Sequence, residues 1–467
     1  MSQQRRDIAK QPFDQHEGQA SPNQSRQIAF AALRAIDRGA FADVMLDRKL
    51  NQSQLSAQDR GLVTELVYGT VRRQRTLDAL IEQFGQREAS KQQADLLQIL
   101  RLGFYQLRYL SQVPDHAVVD TSVQLAKAQR LGKLSGVVNG MLREYIRQSQ
   151  GRSVDPLRLP TDPAKRLGVL HSYPDWIIQV WLSMLPEAEA AALCEWFNQS
   201  PRVDLRINLT RYSLAAAADI FQAAGVETEQ VAGVPSALRI KGHVGAIAHL
   251  PGYTEGWWAV QDSSAQLVGY LLDPQPGEII IDACAAPGGK SMHIAELMGN
   301  TGTVWSCDKT ASRTQKIQQN IDRLDASIVR PLMCDSRDQA AFVGKADRVL
   351  LDVPCSGLGT LNRHADARWR QTPDSVKGLV TLQRELLSHA STWVKPTGVM
   401  VYATCTLHPA ENEAQIQWFL SEHPGWAIEP PPAEFKPFTA DNGGIKVWPH
   451  QQKMDGFFMI KLQRLAA

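Results

Sequence analysis

From about Ser263 to the C terminus, apolar runs of strand length alternate with longer amphipathic stretches, and no other feature constrains the fold as much. Strands are read at 278–284, 302–308, 328–334, 348–353, 398–404 and 456–462. Helices are read between them at 291–299, 312–324, 381–393 and 411–423. Strands separated by helices cannot pair as hairpins. They need crossovers, which predict a parallel, doubly wound α/β sheet with its ligand crevice at the strand carboxyl ends. Those ends are where chemistry is to be sought.

The first end reads Asp282-Ala283-Cys284-Ala285-Ala286-Pro287-Gly288-Gly289-Lys290-Ser291. It is a strand, a tight turn of small residues and a helix N-terminus whose free N–H groups can receive a carboxylate or a phosphate. A P-loop would need glycine five positions before Gly289, where Cys284 stands, and G-x-G-x-x-G is also absent. The second strand ends in Asp308, where an acid can accept both ribose hydroxyls of a nucleoside cofactor. The third leads to Asp335, close to where an adenine edge would lie. Any one of these acids is an ordinary cap; three successive strand ends so equipped favour a cofactor site. The fourth and fifth ends carry thiols, in Asp352-Val353-Pro354-Cys355 and Tyr402-Ala403-Thr404-Cys405. A lone cysteine is more often inert and buried, and the thiols of Cys284, Cys307 and Cys334 read as packing. No Cys-x-x-Cys pair or zinc-type histidine spacing occurs, so no metal is expected.

The 467 residues are enough for two or three domains. Residues 1–24 are polar and predict a disordered leader. Helical periodicity without strand signals predicts an all-α domain over 25–150, and prolines with little periodicity predict a linker over 151–172. Mixed signals predict a small α/β domain over 173–262, with one helix over 175–197, ahead of the sheet domain at 263–467. Lys and Arg number 50 against 48 Asp and Glu, so the chain is no polycation. The stretch 26–147 nonetheless holds about six more basic than acidic residues, which permits a nucleic-acid-facing module. Six scattered cysteines and the lack of a long apolar run predict a reduced, cytoplasmic protein with no membrane span.

The three segments ending at Ser291, at Cys355-Ser356-Gly357 and at Cys405-Thr406 resemble the signature segments of RNA (cytosine-5)-methyltransferases. Leu361-Asn362-Arg363-His364 with Arg368-Trp369 resembles the stretch after the second signature. The helical domain resembles the NusB-like RNA-binding domain fused to the bacterial members that act on 16S rRNA. The resemblance implies a Rossmann-like methyltransferase domain that uses S-adenosyl-L-methionine, a 16S rRNA partner and a monomer. By the same resemblance Cys284, Ala285, Ala286, Pro287, Gly288, Gly289, Lys290, Asp308, Asp335 and Asp352 hold the cofactor. Cys405 is then the thiolate that adds to cytosine C6, helped by a nearby cation such as Lys290. Asp352 meets N3, and Cys355 assists release of the adduct. Three alternatives stand beside this: the same chemistry on tRNA, a non-catalytic RNA-binding factor, and a cysteine hydrolase. The hydrolase would want a histidine base, and only His408 is near, with no evident orienting acid.

Overall fold

Two units divide the chain, 1–172 and 173–467. The computed structural model describes residues 22–150, 155–242, 245–440 and 442–466. Most of the expected leader lies outside the described residues; its last three positions begin the first helix, Pro22–Asp37. No described helix is long and apolar enough to cross a membrane.

Among the described residues of the first unit, all regular elements are helices. Its central helix, Ala94–Tyr109, is buried along most of its length. Helices approach closely where side chains vanish: a Cβ at Gly69 would lie 2.0 Å from the Tyr105 hydroxyl, and one at Gly103 would lie 2.9 Å from Leu142. The stretch read as a linker contains a further helix, Pro163–His171. Asp162 caps it and Pro163 occupies its first turn, where a missing N–H costs nothing. The Thr76 hydroxyl donates to the Val169 carbonyl at 2.7 Å, which docks this helix on Gln74–Gly85. Of the prolines that suggest a linker, Pro163 therefore marks a helix start.

The second unit opens with two helices, Asp175–Leu182 and Glu187–Phe197, in place of the single one expected. Pro186 forces the break and then serves as the cap of the second. A four-stranded antiparallel sheet follows: β1 (Val203–Ile207), β2 (Thr228–Gln230), β3 (Ala237–Ile240) and β4 (Trp258–Val260), in the order β2-β3-β1-β4. The three-residue strands β2 and β4 are too short to show periodicity.

The large sheet comprises β5 (Ile279–Asp282), β6 (Thr303–Asp308), β7 (Val329–Met333), β8 (Ala346–Asp352), β9 (Val394–Thr404), β10 (Trp426–Glu429), β11 (Ile445–Val447) and β12 (Phe457–Arg464). Its order is β10-β12-β9-β8-β5-β6-β7, with β11 on β12. Strands β5 to β9 are parallel, as expected. The last strand is not: β12 runs antiparallel to β9 and to β10. The helix Glu413–Glu422 carries the chain from β9 to the far edge, and β12 returns into the gap left between them. Ile280, Leu350 and Val401 pack on one face of the sheet, and Ile281, Leu351 and Tyr402 on the other. Burial on both faces explains the near-continuous apolar runs. The order reverses between β5 and β8, so the crevice opens at their carboxyl ends.

Candidate active site

The turn after β5 is built from small residues because its backbone folds tightly on itself. The Ala285 N–H donates to the Cys307 carbonyl at 2.8 Å, and the Gly288 N–H to the Ala285 carbonyl at 2.7 Å. Gly288 has φ +100°, a conformation that favours glycine, and caps the helix Gly289–Leu297. The Ser291 hydroxyl donates to Asp282 Oδ2 at 2.6 Å, while Asp282 Oδ1 has no hydrogen-bond partner. Burial pushes the Asp282 carboxyl up to about 7, against the pull of Ser291.

A cavity of about 630 Å³ opens beyond this turn, a size that suits a small-molecule ligand. Cys284, Ala286, Asp308, Asp335, Asp352, Cys355 and Cys405 all line it. Ala285, Pro287, Gly288, Gly289 and Lys290 are not among its lining residues; they shape the turn behind it. Asp308 is almost fully buried at the end of β6, where its Oδ1 accepts the Thr310 N–H at 3.1 Å. Asp335 is already engaged: Arg337 binds both its oxygens, at 3.0 and 2.7 Å, and Lys309 lies at 3.1 Å. The Arg337 hydrogen bonds hold that carboxyl well below the usual carboxylate range. Cavity size and the Asp308 carboxylate fit a nucleoside cofactor; Asp335 has fewer lone pairs left for an adenine edge than expected.

Asp352 and the two thiols lie together in another part of the lining. Cys355 Sγ and Cys405 Sγ lie 3.4 Å apart, brought together from the ends of β8 and β9. The Lys290 ammonium bonds Asp352 Oδ2 at 2.6 Å and lies 5.2 Å from the centre of the Phe457 ring. Burial works against the Lys290 charge, but Asp352 outweighs it and the pKa stands above its ordinary value. The hydrogen bond with Cys405, reinforced by burial, pushes the Cys355 thiol well up. Burial and the neighbouring sulfur thus both favour the protonated form of Cys355. Backbone packs hard against this loop. The Gly359 N–H donates to the Cys405 carbonyl at 3.0 Å, and a Cβ there would sit 2.1 Å from the Gly456 carbonyl oxygen.

Several supporting contacts are not read from the motifs, although Arg363 and Arg368 belong to the stretch quoted after the second signature. Arg206, on β1, is fully buried and reaches the cofactor turn: it donates to the Gly289 carbonyl at 2.6 Å and to both Glu296 oxygens at 3.0 and 2.8 Å. Its signal was a strand, Val203-Asp204-Leu205-Arg206-Ile207, with opposite charges set among apolar residues. Arg363 bonds Asp262 at 2.8 Å and Asp455 at 2.5 Å, which ties the loop after Cys355 to the start of β12. Arg368 is buried, with Nη1 donating to Asn198 Oδ1 at 2.9 Å. Among the described residues, no cluster of His, Cys, Asp and Glu is placed to hold a metal ion. Away from this site, Arg72 is buried and Arg73 lies 4.8 Å from the Tyr109 ring centre, so these basic residues are partly packed.

Three segments of the chain match known protein families. Residues 23–147 match the NusB family, 173–246 a ferredoxin-like domain of RsmF/B-like methyltransferases, and 269–463 the 16S rRNA methyltransferase RsmB/F family. A probable ribosomal RNA small subunit methyltransferase B from Synechocystis is 47% identical over 450 residues, 94% of this chain and 99% of that protein. A Bacillus subtilis protein of the same description is 34% identical over 449 residues, 94% of this chain and 98% of its own length. Among solved structures, PH0851 superposes with a TM-score of 0.79 at 25% identity, covering 96% of this chain and all of that one. A methyltransferase homologue from Pyrococcus horikoshii gives 0.58 at 26% identity, covering 66% of this chain and all of that one.

Proposed function

Because the chain belongs to the RsmB/F family of 16S rRNA methyltransferases, we propose that it methylates C5 of one cytosine in 16S rRNA through a covalent bond between Cys405 and C6. It is an S-adenosylmethionine-dependent RNA methyltransferase. The observation that carries the finer reading is the pair of thiols 3.4 Å apart beside the Lys290–Asp352 ion pair, in the wall of the cofactor cavity.

When bound, S-adenosylmethionine supplies an electrophilic methyl group on a sulfonium; Asp308 and the turn 284–290 would hold it. The remaining chemistry belongs to the chain. Cytosine C5 is a poor nucleophile until the Cys405 sulfur adds to C6, which turns C4–C5 into an enamine. Asp352 meets N3 and passes a proton to it as negative charge develops there, and the Lys290 ammonium bonded to Asp352 balances the carboxylate that this leaves. After methylation the C5 proton leaves, the C5–C6 double bond re-forms, and the Cys405 sulfur departs. Cys355, in contact with that sulfur, assists this release.

A hydrolase reading needs a histidine on one of the thiols. His408 instead accepts the Ala410 N–H through Nδ1 at 3.2 Å. Bisulfite sequencing of rRNA from cells lacking the protein tests the proposal. One 16S methylcytosine should vanish, return with the wild type and stay absent with Cys405→Ala. An unchanged 16S pattern, or a change confined to tRNA, would overturn it.

A further inference from the structure

Neither thiol of the active pair sits on a strand, so the sheet ladder alone does not fix their 3.4 Å separation. The restraint comes from two consecutive side chains, Glu411 and Asn412, between β9 and the helix Glu413–Glu422; both are fully buried. Glu411 Oε1 accepts the Ser356 N–H at 2.8 Å and Gln383 Nε2 at 3.0 Å, and Oε2 accepts the Ser356 hydroxyl. Gln383 Nε2 also donates to the Pro354 carbonyl at 3.0 Å, so the residues on both sides of Cys355 are held. Asn412 treats Cys405 in the same way. Its Oδ1 accepts the Thr404 hydroxyl at 2.6 Å, and its Nδ2 donates to the Thr406 carbonyl at 3.0 Å. The two loops also meet directly, through the Ser356 and Thr406 hydroxyls at 2.8 Å.

A buried carboxylate is a costly way to gain stability, and apolar packing usually serves as well. Here the donors to Glu411 belong to the loop around Cys355, to the glutamine that grips it and to Thr406 beside Cys405. We infer that Glu411 is a positioning residue: together with Asn412 it sets the placement of the releasing thiol against the attacking one. This rests on the reading of Cys405 as nucleophile and Cys355 as its partner in release. The Glu411 charge adds to the Cys405 hydrogen bond and burial in keeping the Cys355 thiol protonated.

The test compares Glu411→Ala and Glu411→Gln in the full-length enzyme with 16S rRNA and S-adenosylmethionine. Glu411→Ala should lower kcat by about 100-fold, the scale of an ångström-sized misplacement, with cofactor affinity unchanged. Glu411→Gln keeps the shape and the Ser356 N–H acceptor, so it should recover most of that rate. Its pH–rate profile should move to lower pH, because the negative charge beside Cys355 is gone. Wild-type kcat in the Ala variant would overturn the inference. So would a Gln variant that neither recovers rate nor shifts the profile, and where the Ala variant does not fold, a Gln variant matching the wild type in rate and profile overturns it alone. Cys405→Ala run alongside separates the two levels. If it still turns over, the covalent reading fails; if it is dead while Glu411→Ala is fully active, only the positioning role fails.

Discussion

Two pairs of cysteines lie at neighbouring strand ends, and they meet the crevice differently: Cys355 and Cys405 both line it, whereas of Cys307 and Cys334 only Cys334 does. Cys307 and Cys334, at the β6 and β7 ends, share a hydrogen bond, as do Cys355 and Cys405 at the β8 and β9 ends. Cys307 is fully buried inside β6 among core residues, where the Cys334 hydrogen bond and burial raise its pKa. Its backbone carbonyl has a structural duty, accepting the Ala285 N–H of the cofactor turn. Cys355 and Cys405 lie past their strands, half-buried in the cavity wall beside an ion pair. Two adjacent thiols do not make a reactive site. What sets Cys355 and Cys405 apart is that both thiols of the pair face the crevice.

The largest expected effect strikes one pair and spares the other. Cys405→Ala should cut methylation by roughly 10⁴-fold or more, the scale of losing a covalent nucleophile, with cofactor binding intact. Cys307→Ala should leave turnover unchanged and cost about 1–2 kcal/mol of stability in chemical denaturation. Equal loss of activity in both would erase the distinction. Next comes the cofactor half: Asp308→Ala should weaken S-adenosylmethionine binding by about 10- to 100-fold in calorimetry, the worth of a charged hydrogen bond. Unchanged affinity would remove the ribose contact.

The smallest effect concerns Asp282, beneath both halves. Burial lifts its carboxyl to about 7, from an ordinary value near 4. An acid raised in this way favours the fold while protonated, so its contribution is complete below about pH 4 and lost as pH rises through about 7. Asp282→Asn should flatten that part of the decline in melting temperature. Asp455, also buried and lifted to about 7, supplies a share that remains. A slope identical to the wild type would mean that Asp282 ionises without penalty.

The residues at the strand ends were legible because each motif is contiguous and follows a run of strand length. Cys284, Asp308, Asp335, Asp352, Cys355 and Cys405 all line one cavity. What escaped was carried by long-range pairing. Arg206 meets Gly289 across 83 positions, and Arg363 meets Asp455 across 92. The antiparallel turn of β12 was hidden for a similar reason, since strand direction depends on where β10 and β11 leave the chain. A proline likewise has two meanings, and only the docked helix Pro163–His171 shows which applies there.

The covalent step can be tested most directly with Cys355→Ala, incubated with 16S rRNA and S-adenosylmethionine and run on a denaturing gel. If Cys405 is the nucleophile and Cys355 assists its release, a slow-migrating protein–RNA adduct should accumulate. It should disappear when Cys405→Ala is added to the same chain. Normal turnover by Cys355→Ala with no adduct, or an adduct that survives loss of Cys405, would contradict the account.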